Sequence, residues 1–200
     1  MKAGTLRIDK DHKWIKTDEG FNLIYEESPS PEMEAVSIFD LYPDPYATSI
    51  DDMRNIFRRH IISRQDFVDL KDYPGFNSDL IDLCIEEYPD GNHYEEQHEK
   101  DRREIANIND YETKTRKFEL VEFWGSLNGY DLIEAGVDLD DDDPSMEYQA
   151  NIWFTEDKVI KAQLNPLPGG VIPYFIFPYE KNPHAFWGTG VPRMMRDSQN

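Results

Sequence analysis

The run Tyr148-Gln149-Ala150-Asn151-Ile152-Trp153-Phe154-Thr155-Glu156-Asp157-Lys158-Val159-Ile160-Lys161-Ala162-Gln163-Leu164 decides the fold. Two segments rich in apolar, β-branched and aromatic residues flank a polar Glu156-Asp157-Lys158 turn, the pattern of a β-hairpin. The period of two begins earlier, near residue 115. Residues 116–125 predict a strand, Leu127-Asn128-Gly129-Tyr130 a turn, and residues 130–135 a returning strand, since Asn-Gly is a strong hairpin signal. An acidic loop over 136–145, with Asp138 and Asp140 to Asp143, separates the two hairpins. A Pro/Gly loop covers 165–170. Residues 171–178 then predict an edge strand, with Pro173 and Pro178 at the ends of an aromatic run. Residues 115–178 are thus expected to form one β-rich unit.

Upstream the pattern is mixed. Residues 5–27 read as β-structure turning at Asp18-Glu19-Gly20, followed by a loop over 26–34 that Pro29 and Pro31 break. Val36 to Leu41 predicts a short apolar strand that ends in the rigid Pro43-Asp44-Pro45 turn. Residues 55–62 predict a strand, with a helix as the competing reading. Ser63 with Asp66 three residues later resembles a capping box and opens a short helix over 63–72, stopped by Tyr73-Pro74-Gly75. Asn77 or Ser78 caps a second helix carrying Leu80, Ile81, Leu83, Cys84, Ile85 and Tyr88, which Pro89-Asp90-Gly91 ends. Residues 92–110 are strongly polar, a solvated helix or a loop.

The far end, Phe186-Trp187-Gly188-Thr189-Gly190-Val191-Pro192-Arg193-Met194-Met195, reads as a helix start. Thr189 is the candidate cap and Pro192 suits the first turn. Val191, Met194 and Met195 share one face at i, i+3 and i+4. Two turns are too few to stand alone in water, so this helix is expected to continue past Asn200 in a longer chain.

The 200 residues suit one or two domains. With 41 acids and 21 bases the net charge is −20. A surface that grips nucleic acid through phosphates is basic. The densest bases, Arg54, Arg58, Arg59, His60 and Arg64, are outnumbered by acids on both sides, so DNA meeting this chain is repelled or passes by. Aromatic residues number 26 (11 Phe, 11 Tyr, 4 Trp), which argues against wholesale disorder. Cys84, the one cysteine, excludes an internal disulfide framework and reads as a small core residue. No apolar run approaches the roughly 20 residues of a membrane span, and the N-terminus lacks the apolar centre of a signal peptide. No membrane partner is expected.

Catalytic motifs are missing. There is no phosphate-binding Gly-x-x-x-x-Gly-Lys-Ser/Thr, no nucleophile elbow and no His-Glu-x-x-His. A calcium loop starting at Asp138 needs Gly and Glu where the chain has Asp143 and Gln149. His93 and His98 with Glu95, Glu96 and Glu99 are the one candidate divalent-metal cluster, but no apolar surroundings hold it rigid. No cofactor, no metal and no enzymatic activity are expected. The aromatic residues of the C-terminal third read either as a β core or as a subunit interface, where aromatics are enriched.

The order of these pieces resembles the portal proteins of tailed phages. The resemblance rests on Ser37-Ile38-Phe39-Asp40-Leu41-Tyr42-Pro43-Asp44-Pro45 with the acidic turn after it. It continues in the strand and helix over 54–70, the hairpins over 117–135 and 148–177, and Phe186-Trp187-Gly188-x-Gly190-Val191-Pro192-x-x-x-Arg196-Asp197-x-Gln199. It covers residues 36–200. The resemblance implies an α+β chain with a β-rich wing-like portion (1–62), a helical stem-like portion and polar linker (63–110), a β-rich clip-like portion (111–183) and the start of a returning stem helix (184–200). It also implies a virion ring at one capsid vertex, usually of twelve copies, assembled in the host cytoplasm. Double-stranded DNA would pass through it during packaging and ejection. Terminase and head-completion or tail adaptor proteins would be its partners. Trp124, Trp153, Phe175, Trp187, Val191, Met194 and Met195 are the candidate interface residues. Twelve copies at −20 each sum to about −240, a charge largely screened beyond about 10 Å at 0.1 M salt. Two other classes compete: an acidic interaction module of adaptor or DNA-mimic type, and a metal-dependent enzyme built on His93 and His98.

Overall fold

Period-two alternation around the Glu156-Asp157 turn does build a sheet. The computed structural model describes residues 2–17, 20–107, 117–139 and 143–196, and over 2–32 the backbone alone. The fold is α+β. Its main sheet is antiparallel, with strands β3 (Leu41–Pro43), β4 (Asn55–Ser63), β5 (Lys117–Asn128), β6 (Glu147–Thr155) and β7 (Lys158–Leu164) in that spatial order. β1 (Lys2–Thr17) and β2 (Gly20–Glu34) form a separate two-stranded sheet. The helices are α1 (Arg64–Asp69), α2 (Ser78–Glu87), α3 (Gln97–Ile105), α4 (Gly129–Glu134) and α5 (Val191–Met195).

Thr155 faces Lys158 and leaves Glu156-Asp157 as a two-residue turn, with Glu156 in the left-handed region at φ +50°. Further along, Trp153 faces Lys161 while Phe154 faces Val159, so Ile160 is the extra residue of a bulge. Alternation sends Val159 and Ile160 to opposite clusters, and the bulge brings Ala162, three residues on, back to the cluster of Val159.

The two clusters lie on opposite faces because β5 alternates. Phe118 and Leu120 pack with Ile160 beneath α1 and α2, which supply Phe67, Ile81, Cys84 and Ile85. Cys84 is buried there, and burial pushes its thiol pKa up, so it acts as a packing residue. On the other face Phe123, Ala150 and Ile152 pack with Leu132 of α4 and with Leu139. Ser63 caps α1 through a reciprocal box with Asp66, and Asn77 caps α2, both at the positions the sequence marks.

β4 and β5 run so close that a side chain at Gly125 has no room. A Cβ there would lie 2.6 Å from the Asn55 Cβ and 2.9 Å from the Arg54 carbonyl oxygen. Gly125→Ala is expected to destabilise the fold by about 2 kcal/mol, because the backbones must separate. A lowered urea midpoint with an unchanged slope is the readout.

Several expectations are corrected. Residues 130–135 are not a returning strand: Asn128 accepts a hydrogen bond from the Tyr130 N–H and caps α4. β5 and β6 still pair antiparallel, across a longer connection. Residues 171–178 are not a strand: the Tyr174 N–H bonds the Ile172 carbonyl at 2.9 Å, closing a tight turn around Pro173. The strand expected from Val36 to Leu41 is a 3-10 turn over Ile38–Asp40, followed by β3. The loop expected over 26–34 is part of β2. Pro29 faces Ile8 and Pro31 faces Leu6, two residues apart, so both missing N–H groups fall on the same side of the strand. α5 starts from Gly190, not Thr189, whose N–H donates to the Glu180 carbonyl at 2.9 Å. The turn at Asp18-Glu19, the acids Asp140 to Asp142 and the continuation of α5 past Arg196 lie outside the described residues.

The chain separates into two compact units. One holds residues 39–46 and 53–171; the other holds the described residues among 1–38, 47–52 and 172–200.

Candidate functional site

β4 places consecutive polar residues on opposite faces of the sheet. Arg59 is buried, its side chain 3 % exposed, and its guanidinium is surrounded by carboxylates. Nη2 lies 3.0 Å from Asp40 Oδ1 and 3.5 Å from Glu99 Oε1, and Nη1 lies 2.7 Å from Glu96 Oε1. Burial works against the charged form, but the Asp40 hydrogen bond and the Tyr42, Glu96 and Glu99 charges outweigh it, so the Arg59 pKa is raised. Tyr42 nearby is pushed up, chiefly by burial.

This hub holds α3 to the sheet. α3 buries no residue of its own. Its docking rests on the Arg59 contacts, on His98 stacked over Phe39 at 5.3 Å, and on Arg102 above the same ring. His93 bridges Glu119 at 2.9 Å and Glu99 at 3.3 Å. Of the residues that suggested a metal cluster, Glu96, Glu99 and His98 meet the Arg59 guanidinium, His93 bridges Glu99 and Glu119, and Glu95 pairs with Arg103. Among the described residues, no group of three or more potential ligands is placed to hold a metal ion.

On the opposite face lies a second buried polar cluster. Glu122, 1 % exposed, accepts a hydrogen bond from Trp124 Nε1 at 2.7 Å and lies 2.9 Å from His60 Nε2. The His60 ring stacks on Trp153 at 4.5 Å, and Phe76 meets Trp153 edge-on. A buried carboxylate costs stability unless it is bonded in this way. Glu122 is legible in hindsight: it falls in register with Phe118, Leu120 and Trp124 on an apolar face. Arg59 carries no such signal, because its partners come from two distant segments, the turn at Asp40 and the start of α3.

The candidate interface residues divide. Trp124 is buried and Trp153 packs against the core, so both are part of the sheet's interior. Phe175, Trp187, Val191, Met194 and Met195 are exposed, between 38 % and 50 %. They belong to one segment, 172–196, which also exposes Phe177 and Tyr179. Patches of large apolar side chains left in water mark interaction surfaces. Trp187 packs edge-on against Phe186 at 5.2 Å. Gly188 allows the close approach that bends this segment: a Cβ there would lie 2.5 Å from the Glu180 carbonyl oxygen.

Among the described residues no helix is long and apolar enough to cross a membrane. No curated protein matches the chain. Residues 15–200 match the family described as Phage SU10 portal protein. That match takes in the main sheet, both polar clusters and the exposed segment, and the chain belongs to this portal protein family.

Proposed function

We propose that the chain is a structural subunit of a portal ring, of twelve copies, at one vertex of the capsid. The family match over residues 15–200 carries this reading. Double-stranded DNA passes through the ring during packaging and ejection, without sequence-specific binding. The net charge of −20 supports passage, because an acidic wall makes no lasting phosphate contacts. Residues 1–62 act as the wing, 63–110 as the stem and its linker, 111–183 as the clip, and 184–200 as the start of the returning stem helix. The clip meets terminase during packaging and head-completion or tail adaptor proteins afterwards. No catalytic step belongs to this role.

The exposed segment 172–195 is the proposed contact between copies. Replacing Trp187 and Met194 by Glu in the intact gene product is expected to shift assembly to at least tenfold higher protein concentration. Sedimentation velocity measures this, and the circular dichroism of the sheet should be unchanged. Rings assembling at wild-type concentration would place the contact elsewhere. A monomer that instead binds basic DNA-binding proteins would favour the interaction-module reading.

A further inference from the structure

α4 turns one face to the sheet and another to water. Leu132 is fully buried beneath it, while Tyr130 and Ile133, one turn apart, are 62 % and 47 % exposed. The Gly129 N–H donates to the Met146 carbonyl at 2.9 Å, which brings Met146, also exposed, beside the first turn. The Asn128 cap and the Leu132 anchor hold this face in place. Acids border it. Residues 128–147 contain no base, and Asp131, Glu134, Asp143 and Glu147 are exposed there.

α5 carries the same pattern with the opposite charge. Val191 and Met194, one turn apart, are exposed, and so are Arg193 and Arg196, again one turn apart. Residues 172–196 hold three bases, Lys181, Arg193 and Arg196, against Glu180 alone. On each helix a charged stripe therefore runs beside an apolar one: Asp131 and Glu134 beside Tyr130 and Ile133, Arg193 and Arg196 beside Val191 and Met194. Three residues rise about 4.5 Å on either helix, so two charge pairs can form together when the helices lie along each other. Tyr, Met and Arg are the residue types that interface cores favour.

We infer that the Tyr130–Ile133 face of α4 in one copy receives α5 of the next copy, with Asp131 and Glu134 opposite Arg193 and Arg196. Two different surfaces of one chain meet, so the contact is heterologous and repeats around a ring. This rests on the portal reading and names the surface that segment 172–195 meets.

The test uses two variants of the intact gene product, Asp131→Lys with Glu134→Lys, and Arg193→Glu with Arg196→Glu. All four side chains are exposed, so circular dichroism should match the wild type. Each variant alone sets like charges across every contact and should need at least about tenfold more protein to assemble, by sedimentation velocity. Mixed in equal parts, the two should assemble within about threefold of the wild-type concentration, because each copy then meets opposite charge on both sides. Native mass spectrometry should find the two variants in equal numbers in each ring. A contact within one chain gives no such rescue. Ile133→Cys with Met194→Cys probes the same contact without changing charge: oxidation of assembled protein should link copies into a ladder, and the buried Cys84 does not compete. Variants that each assemble at the wild-type concentration, a mixture as weak as its parts, or a missing ladder overturn the inference while wild-type rings keep the portal reading. A wild-type protein that stays monomeric overturns both.

Discussion

Phe118→Ala is expected to cost about 4 kcal/mol of folding stability, in the range of large aromatic truncations in closed cores. Phe118 is fully buried at the centre of the cluster that joins β5 and β7 to α1 and α2. Its ring packs at 4.8 Å on Phe67, the buried anchor of α1, which is itself fully buried. Removing the ring leaves a cavity between two elements whose backbones are held by a sheet on one side and a capped helix on the other, so collapse is limited. A double-mutant cycle with Phe67→Ala should give a coupling of about 1 kcal/mol beyond the buried area. Urea unfolding of the four proteins measures both values. A single-mutant loss under about 1.5 kcal/mol would mean that the helices do not close over the sheet as described.

The second large effect is expected at Arg59. Arg59→Ala leaves Asp40, Glu96 and Glu99 facing one another without their cation, and removal of one partner from a buried ion pair costs about 3–5 kcal/mol. The lower end applies here, about 3 kcal/mol, because Glu96 is half exposed and water relieves it. Glu96→Gln, by the same reasoning, should cost under about 1 kcal/mol. The loss should be local in its dynamics. α3 buries nothing, so its amides over 97–105 should lose hydrogen-exchange protection first, while β4 and β5 keep theirs. Equal loss across β4, β5 and α3 would show that Arg59 supports the sheet and not the helix.

Much of the sheet was legible because its signals were local and periodic. The β6–β7 hairpin, β4, the Ser63 capping box and the Asn77 cap each need only neighbouring residues to be recognised. The errors arose where one local signal serves two structures. Asn128-Gly129 suits a hairpin turn, but the same Asn side chain caps a helix, and burial of Leu132 on the sheet decides for α4. Pro29 and Pro31 suggest a loop until a partner strand places both on one side, and that partner is fixed by long-range register. The ion-pair hub was invisible because Asp40, Arg59, Glu96 and Glu99 meet only in three dimensions. The spacing of His93, His98 and their glutamates does not tell a metal ion from the guanidinium that Glu96, His98 and Glu99 meet. Composition does not separate Trp124 and Trp153 from the exposed aromatics, although one donates to a buried carboxylate and the other stacks on His60.

The exposed segment and the family match converge on assembly, and the mass of the assembled particle tests that most directly. Native mass spectrometry of the intact gene product, with class averages of the same sample by electron microscopy, is expected to show twelve copies closed around a central channel. A particle that remains a monomer at micromolar concentration and low salt, with no ring in the images, would contradict the account.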